Sequence, residues 1–387
     1  RRGRLKKKRN VLGAITTTHH GLYRGVARFA REHNWHLTTD ILYAASIPHG
    51  WKGDGIISHV GYWSDLANFV RKATGPKVEL TSVRRDLGIP FVEGDNLAIG
   101  AIAAQHFLSR GYRNFAWFPF TNDQINDERR DGFSEAIAKA GFRSANLPPL
   151  HELKNYQWRG NWPKNLTKIA TALTALPKPV AIFCYNDCAA ANVLHVCQDL
   201  GIPVPEQVSI VGVDNDELLC EAVTVPLTSV NHDLEMLGYQ GATLLERIMD
   251  GEKVSLDQPR ISPQGITLRQ SSDMLAVNNY EVARALRYIW ANYTNPGLQV
   301  REVVANTRLS RRPLEIVFKR EVGRTINQEI LRYRLEQIKT LLSHTRRSVS
   351  EIAGMCGFTR SNHLHRVFRE HTGVSPKEFQ KNQGLPT

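Results

Sequence analysis

The hydrophobic pattern of this chain changes near residue 280, and that change limits the possible folds more than any other feature. From residue 10 to about 270, amphipathic helical stretches alternate with apolar strand-like runs, which read NVLGAIT, DGIIS, FVEG, RNFAWF, PVAIFCYND, VSIVGVD and LTSV. Continuous alternation favours parallel sheets, because a right-handed crossover needs a helix to return the chain. Residues 10–272 are therefore predicted to form an α/β domain of parallel sheets flanked by helices.

Beyond residue 280 the strand patterns stop and helical spacing replaces them. Two helices are marked by single apolar stripes, one of Val282, Leu286 and Ile289, the other of Leu331, Leu335, Ile338 and Leu342. Apolar residues three and four positions apart share one face of a helix. Residues 280–387 are therefore predicted to form an all-α domain, with the boundary in the polar stretch 271–279.

An internal repeat with a spacing of fifty residues lies within this helical region. Leu314, Phe318, Gly323 and Thr325 recur as Leu364, Phe368, Gly373 and Ser375. In the second copy Ser348 and Glu351 form a capping-box pattern, and Gly357 follows where a turn needs positive φ. In the first copy Ser310 is predicted to cap the second helix. The spacing predicts two helix-turn-helix units, at about 300–321 and 348–371.

The charge distribution favours contact with nucleic acid at this end of the chain. The formal net charge is +13, of which residues 280–387 contribute +10, residues 1–10 contribute +7 and the rest −4. Arg reads guanine, Asn reads adenine, and other cations neutralise phosphates. Basic helix faces that are merely solvated remain the alternative, and the basic tail 1–9 is either a set of phosphate contacts or a disordered end.

Several protein classes are excluded or disfavoured. No run of 18 apolar residues and no secretion signal is present, so a cytoplasmic protein is expected. The five cysteines form no C-x-x-C and are expected to be reduced, without a metal role. G-x-G-x-x-G, G-x-x-x-x-G-K-[ST], G-x-S-x-G and H-E-x-x-H are all absent, so neither a cofactor nor an enzymatic activity is expected. A sugar-modifying enzyme with a DNA-binding appendage remains a remote alternative.

Residues 300–380 resemble the paired helix-turn-helix domain of AraC-type transcription regulators, especially in IAGMCGFTRSNHLHRVFREHTGVSPKEF. The resemblance implies that two recognition helices enter successive major grooves of operator DNA. By position from the turn, it implies these base-reading residues: Arg312, Glu315, Ser361, Asn362 and Arg366. The first copy departs from the family in Arg308, where a turn glycine is usual, and in Ile316, where a basic or polar side chain is common.

Residues from about 90 to 270 resemble the effector-binding core of LacI-type repressors and periplasmic sugar-binding proteins. The likeness lies in GDNLAIGAIAAQHFLSRGYRNFAWF, PVAIFCYNDCAAANVL, IPVPEQVSIVGVDND and VPLTSVNHD. It implies a two-lobed, periplasmic-binding-protein-like fold in which Arg129, Asn186 and Asp214 bind sugar hydroxyls. His232 stands where that family often has Gln. The residues support such a cleft, because Asn186 and Asp214 directly follow predicted parallel strands, and ligands bind at the carboxyl ends of such strands.

A LacI-like effector-binding core followed by an AraC-like DNA-binding domain, here called the reader, is the arrangement of xylose operon regulators. The whole chain resembles that family. The resemblance implies a sugar-responsive DNA-binding transcription regulator without a membrane partner. Xylose is the favoured effector, and an activator working as a homodimer with RNA polymerase is the favoured form. Another small sugar, or a repressor of the same architecture, remains open.

Some side chains in the predicted cleft have competing interpretations. Asp187 is expected to be the N-cap of the helix that it begins, rather than a ligand contact. Arg129 has an alternative role in an ion pair with Asp127 or Asp131. His19 and His20, in the loop after the first strand, are further candidates for ligand contact. Four tryptophans are candidates for sugar stacking or for the core, namely Trp63, Trp117, Trp158 and Trp162.

Overall fold

The computed structural model describes residues 8–16, 20–44, 46–120, 123–149, 152–154, 157–159, 162–256, 258–274, 276–277, 279–344 and 347–382. Residues 1–7 of the predicted basic tail and His19 therefore lie outside the described residues. Packing divides the chain into two compact units, Arg1–Asp273 and Met274–Thr387. None of the described helices combines the length and the apolar composition needed to cross a membrane.

The first unit alternates strands and helices in its described residues. The strands are β1 (Arg9–Ile15), β2 (Trp35–Thr38), β3 (Gly55–His59), β4 (Lys77–Glu79), β5 (Asn114–Phe118), β6 (Ser144–Asn146), β7 (Glu152–Lys154), β8 (Gln157–Arg159), β9 (Val180–Cys184), β10 (Val208–Val213), β11 (Thr228–Asn231) and β12 (Gly265–Thr267). The helices are α1 (His20–Glu32), α2 (Asp40–Ala44), α3 (Ser64–Lys72), α4 (Asn96–Ser109), α5 (Gln124–Lys139), α6 (Trp162–Ala175), α7 (Asp187–Asp199), α8 (Glu217–Ala222) and α9 (Leu234–Met249). One-turn 3₁₀ helices lie at Arg85–Leu87 and Gln270–Ser272.

These elements form two lobes, each built on its own sheet. The first lobe has strand order β2-β1-β3-β4, all parallel, and α9 packs there against α1, β3 and β4. The second lobe has the order β12-β11-β10-β9-β5-β6, parallel except for β12, with α4 packed against β9 and β11. β7 and β8 pair as a separate antiparallel ribbon. The carboxyl ends of β5, β9, β10 and β11 consequently share one edge of the second sheet.

Three segments cross between the lobes, and they bond to one another. The first joins β4 to α4, the second joins β11 to α9, and the third joins α9 to β12. In the third, Ile261 accepts from the amide of Asp95 and donates to Glu93 O, while the Gln264 amide donates to Asn231 O. The predicted strand FVEG at 91–94 is wrong, because this stretch is the first crossover and forms only isolated bridges.

The described residues of the second unit form helices joined by loops, with no strand among them. Its helices are α10 (Tyr280–Asn292), α11 (Val300–Ala305), α12 (Arg311–Val322), α13 (Ile326–His344), α14 (Val349–Met355), α15 (Ser361–Thr372) and α16 (Pro376–Asn382). The repeated residues anchor two separate cores: Leu314 and Phe318 pack with α10, whereas Leu364 and Phe368 pack with the later part of α13. α11–α12 and α14–α15 are therefore two similar units on either side of the long α13.

Candidate functional site

Arg129 lies buried in the second lobe because α4 and α5 pack unusually close together. A side-chain carbon at Gly100 would stand 2.2 Å from Arg129 O, and one at Gly132 would stand 2.1 Å from Leu97 O. This close approach brings Asn96, the first residue of α4, against Arg129 on α5. Arg129 is 3% exposed, and its guanidinium donates to Asn96 Oδ1 at 3.0 Å and to Tyr185 O at 2.5 Å.

The alternative ion pairs of Arg129 are not formed. Asp127 and Asp131 both pair with the neighbouring Arg130, at 2.9 and 2.8 Å. Arg130 is partly exposed, whereas Arg129 is buried. The carboxylate near Arg129 is that of Asp214, which lies 3.8 Å from Nη2.

Asp214 and His232 complete a cluster with Arg129 at the carboxyl edge of the second sheet. Asp214 follows β10 with φ +102°, and its Oδ1 lies 3.3 Å from Nδ1 of His232, which follows β11. Nδ1 of His232 also lies 3.5 Å from Nη2 of Arg129. A carboxylate only accepts, so the His232 tautomer that suits this contact carries its proton on Nδ1. The His232 ring is buried, and Nε2 has no hydrogen-bond partner among the described residues.

The expectation that Asp187 caps α7 is wrong. Asn186 is the N-cap, and its Oδ1 accepts from the amide of Ala189 at 2.9 Å. The Nδ2 group of Asn186 has no partner within the described part of the chain. Asp187 is 2% exposed and accepts instead from the Asp216 amide at 2.9 Å, which braces the loop that carries Asp214. Burial, followed by the negative charge of Asp214, raises the pKa of Asp187 to about 7.

Sequence reasoning missed other groups around this cluster. The Tyr185 ring lies under the Arg129 guanidinium, with its centroid 5.1 Å from Cζ. The Tyr185 hydroxyl donates to Asp123 at 3.4 Å, and the hydroxyl of Tyr62 from the first lobe donates to the same carboxylate. Asn126 lies one turn before Arg129, is 4% exposed, and its Oδ1 has no partner in the described residues. The sequence pointed to them only by position, because Asn126 directly precedes Asp127 and Tyr185 directly precedes the predicted ligand residue Asn186.

The remaining candidates take other positions. Trp117 lies in the core, 1% exposed, with its ring 5.0 Å from that of Phe183, and Trp63 is half-buried at the start of α3. The side chains of Trp158 and Trp162 lie outside the described residues. His20 begins α1 and is exposed. Among the described residues, no group of three His, Cys, Asp or Glu side chains is placed to hold a metal ion.

A cavity of about 730 Å³ lies elsewhere, in the first lobe between α3 and the loop 47–53. Its lining includes Trp51, Phe69 and Lys72. None of the four predicted ligand residues lines it, so it is separate from the cluster at the edge of the second sheet.

The exposed side of the first candidate recognition helix, α12, carries both basic and acidic side chains. Arg312 is exposed and makes no ion pair within the described residues, whereas Glu315 accepts from Arg311 at 2.9 Å. Ser310 occupies the N-cap as predicted, but its side chain makes no capping hydrogen bond. The turn also differs from that of the second copy. Thr307, fifty residues before Gly357, does not adopt positive φ, and the next amide, that of Arg308, donates to Glu281 at 2.6 Å.

The second candidate recognition helix, α15, follows a turn of the predicted form. Ser348 and Glu351 cap α14 reciprocally, and Gly357 adopts φ +76°. On α15, Asn362 and Arg366 are exposed and Ser361 is half-buried, while Leu364 and Phe368 are fully buried. Neither Asn362 nor Arg366 has a hydrogen-bond partner in the described residues, so the polar face of α15 is available to a ligand.

Comparisons with known proteins agree with both units. Residues 104–272 match the periplasmic binding protein-like domain, and residues 303–382 match a helix-turn-helix domain. The xylose operon regulatory protein of Escherichia coli K12 is 31% identical over 295 residues, which are 76% of this chain and 74% of that protein. The chain belongs to the xylose operon regulatory protein family. The Haemophilus influenzae member is 31% identical over 297 residues, 76% of this chain and 75% of its own.

A solved structure agrees over nearly the whole length of this regulator. The structure of a xylose-binding transcription activator is 26% identical, covers 98% of this chain and 99% of its own, and has a TM-score of 0.71. The predicted fold class, a two-lobed periplasmic-binding-protein-like core followed by an all-α double helix-turn-helix domain, is confirmed. The prediction of a DNA-binding transcription regulator is confirmed by family membership, and the relatives reported above are regulators.

Proposed function

We propose that this regulator controls transcription in response to xylose. Residues 10–272 would bind the sugar, and residues 280–387 would bind operator DNA. The observation that carries the proposal is the cluster of Arg129, Asp214 and His232, brought within 3.3–3.8 Å from three different elements. The xylose-binding activator of the same architecture supports the choice of sugar and of activation.

The chemistry of the cluster suits a small polyol. Each sugar hydroxyl both donates and accepts, so it pairs with a carboxylate on one side and a guanidinium or amide on the other. Asp214 supplies the carboxylate, Arg129 the guanidinium and Asn186 an amide. The unpaired Oδ1 of Asn126 is a buried polar atom, and leaving such an atom unpaired costs about 1–3 kcal/mol. A bound sugar that reached it would recover part of that cost.

The second unit supplies the DNA reader. We propose that Ser361, Asn362 and Arg366 on α15, and Arg312 and Glu315 on α12, contact base edges in successive major grooves. Arg366 suits guanine and Asn362 suits adenine. Because Glu315 is paired with Arg311, it must exchange that partner for a cytosine amino group on binding.

Sugar binding and DNA binding would be coupled through the two lobes. A sugar that binds the closed arrangement more tightly than the open one shifts the population toward closure. Moving the equilibrium from 1:99 to 99:1 takes about 5.5 kcal/mol of differential affinity. In a homodimer, that shift would reposition two pairs of recognition helices on the operator in the cytoplasm, where an activator then contacts RNA polymerase.

Calorimetric titration with D-xylose, L-arabinose, D-ribose and D-glucose tests the sensor. Saturable xylose binding is expected, with at least a tenfold loss in Asp214→Ala. Asp131→Ala, which removes an exposed carboxylate on α5, is the matched control and should bind like the parent. The absence of binding by every sugar, or an unchanged titration in Asp214→Ala, would reject the cleft as proposed.

Binding to duplexes selected from a random library tests the reader. Arg366→Ala should weaken binding to selected DNA by about 1–3 kcal/mol, the range for one bidentate base contact, and leave sugar affinity unchanged. Lys139→Ala, which removes an exposed cation from the sensor unit, controls for the loss of one positive charge. Equal DNA affinity in Arg366→Ala and the parent would remove Arg366 from the reader.

A further inference from the structure

An aliphatic side chain lies on the charged face of the first recognition helix. Ile316 is 59% exposed on α12, although isoleucine is among the residues most often buried. Arg312 and Arg320, one turn before and one turn after it, are also exposed. Ile316 therefore lies outside the core formed by Leu314 and Phe318, within a row of cations.

The internal repeat shows what this position does in the other copy. Adding fifty to the number of each α12 residue gives its counterpart on α15, and both helices are twelve residues long and end at a left-handed glycine. Leu314 and Leu364 are both 0% exposed, as are Phe318 and Phe368. The same register pairs Ile316 with the exposed Arg366. Ile316 thus occupies the position that carries a proposed base-reading arginine in the second copy.

We propose that Ile316 reads a thymine through its 5-methyl group. The inference rests on the proposed function of the second unit as a major-groove reader. An aliphatic side chain cannot pair with a phosphate or with a polar base edge, and the thymine methyl is the apolar group that the major groove offers. Arg312 lies four residues away on the same face, so the thymine lies within about two base pairs of the base that Arg312 contacts.

The consequence is that the two readers differ in the chemistry of their subsites. At corresponding positions, α15 selects a base that accepts from Arg366, whereas α12 selects a base that carries a methyl group. The DNA site of one protomer is therefore expected to be asymmetric rather than a direct repeat. A subsite specified by a methyl group also discriminates weakly, because removal of one methyl costs about fourfold in affinity, equivalent to about 0.8 kcal/mol.

Replacing thymine by deoxyuridine, one position at a time, tests the contact directly, since the change removes only the 5-methyl group. The probe is the duplex that the 387-residue protein selects from a random library, and affinity is measured by fluorescence anisotropy. At one thymine, deoxyuridine should weaken binding by the parent about fourfold and change binding by Ile316→Ala less than 1.5-fold. Met355→Ala, which truncates another exposed apolar side chain of the same unit, should keep the parent's fourfold loss.

A second selection with Ile316→Arg should change the preferred base at that position from thymine to guanine. Circular dichroism and thermal melting show whether each variant is folded, and the comparison between thymine and deoxyuridine is made within one variant, so it is independent of the active fraction. Deoxyuridine losses that persist unchanged in Ile316→Ala would overturn the inference. If deoxyuridine weakens binding by the parent at none of the thymines, even though Ile316→Ala lowers affinity for every duplex, the inference is also overturned. Failure of the parent to select any sequence would reject the reader itself.

Discussion

Adding one methyl group at Gly94 should weaken effector binding without changing any side chain of the proposed site. Gly94 lies in the first crossover, and a side-chain carbon there would stand 2.0 Å from Nε2 and 2.4 Å from Cδ2 of His232. Both distances are far below van der Waals contact, so the His232 ring must move away. The backbone at Gly94 does not have positive φ, so an alanine is compatible with the local conformation.

The expected magnitude follows from the contacts that the His232 ring loses. Nδ1 donates to Asp214 Oδ1 at 3.3 Å, which is a long hydrogen bond to a charged group. Hydrogen bonds to charged groups contribute about 1.5–3 kcal/mol, and this length places the loss near the lower end, at about 1–2 kcal/mol. Gly94→Ala should therefore raise the Kd for the sugar roughly 5- to 30-fold.

A double-mutant cycle measured by calorimetry distinguishes a loss of affinity through the His232 ring from a general disturbance of the three crossover segments. The parent, Gly94→Ala, His232→Ala and the double variant are titrated with the sugar that the parent binds most tightly. If the added methyl acts through the ring, it costs affinity in the parent and nothing further once His232 is alanine. An unchanged Kd in Gly94→Ala, or the same penalty in the His232→Ala background, would refute the reasoning.

Two further predictions concern stability. Glu79, 1% exposed at the end of β4, accepts from the Ser58 hydroxyl and the Val60 amide, and burial raises its pKa to about 7. The folded state keeps a proton that the unfolded state has lost, so the Glu79 contribution to unfolding free energy falls as pH rises from about 4.5 to 7, by on the order of 3 kcal/mol. In denaturant titrations, the free energy of unfolding of Glu79→Gln should therefore fall less between pH 5 and pH 7.5 than that of the parent. An equal fall in the variant and the parent would contradict the prediction. Gly357→Ala places a carbon 2.5 Å from Tyr293 O at φ +76°, so it should lower the melting temperature of the helical unit and weaken DNA binding, whereas Gly354→Ala, with open space around it, should do neither.

The architecture was predictable because it depends on patterns that are local in the sequence. Period-two and period-3.6 spacing separate the two units, and the fifty-residue repeat identifies two equivalent helix pairs before any contact is known. Asn186 and Asp214 were predicted to lie together because each directly follows a parallel strand, and such strands end at one edge of a sheet. Arg129 and His232 were added by the resemblance to sugar-binding proteins. Position along a strand is enough for that inference, and the exact side-chain geometry is not needed.

Contacts between distant segments were not predictable in the same way. The adjacent Asn186 and Asp187 both suit a helix N-cap, and only the fold shows that Asn186 caps α7 while Asp187 turns inward to the amide of Asp216. FVEG reads as a strand because it is apolar and bounded by glycine. It bonds on one side to Glu79 at the end of β4 and on the other to Leu256 and Ile261 of the third crossover, more than 150 residues away, which the spacing of a single sequence does not reveal.

The position of His232 offers a route by which the proposed sugar site would control the lobes. His232 lies in the second crossover, its Nε2 packs against Gly94 in the first, and Gly94 bridges Ile261 in the third. The edge of the ring that carries Nδ1 lies next to Asp214 and Arg129. A ligand that changes the hydrogen bonding of Asp214 or Arg129 therefore acts on His232, whose side chain is packed against the crossover segments. In the proposed site, His232 would both contribute to sugar binding and contact the crossover segments that must move when the lobes close. Binding and closure would then be coupled through this one residue, without a longer chain of contacts.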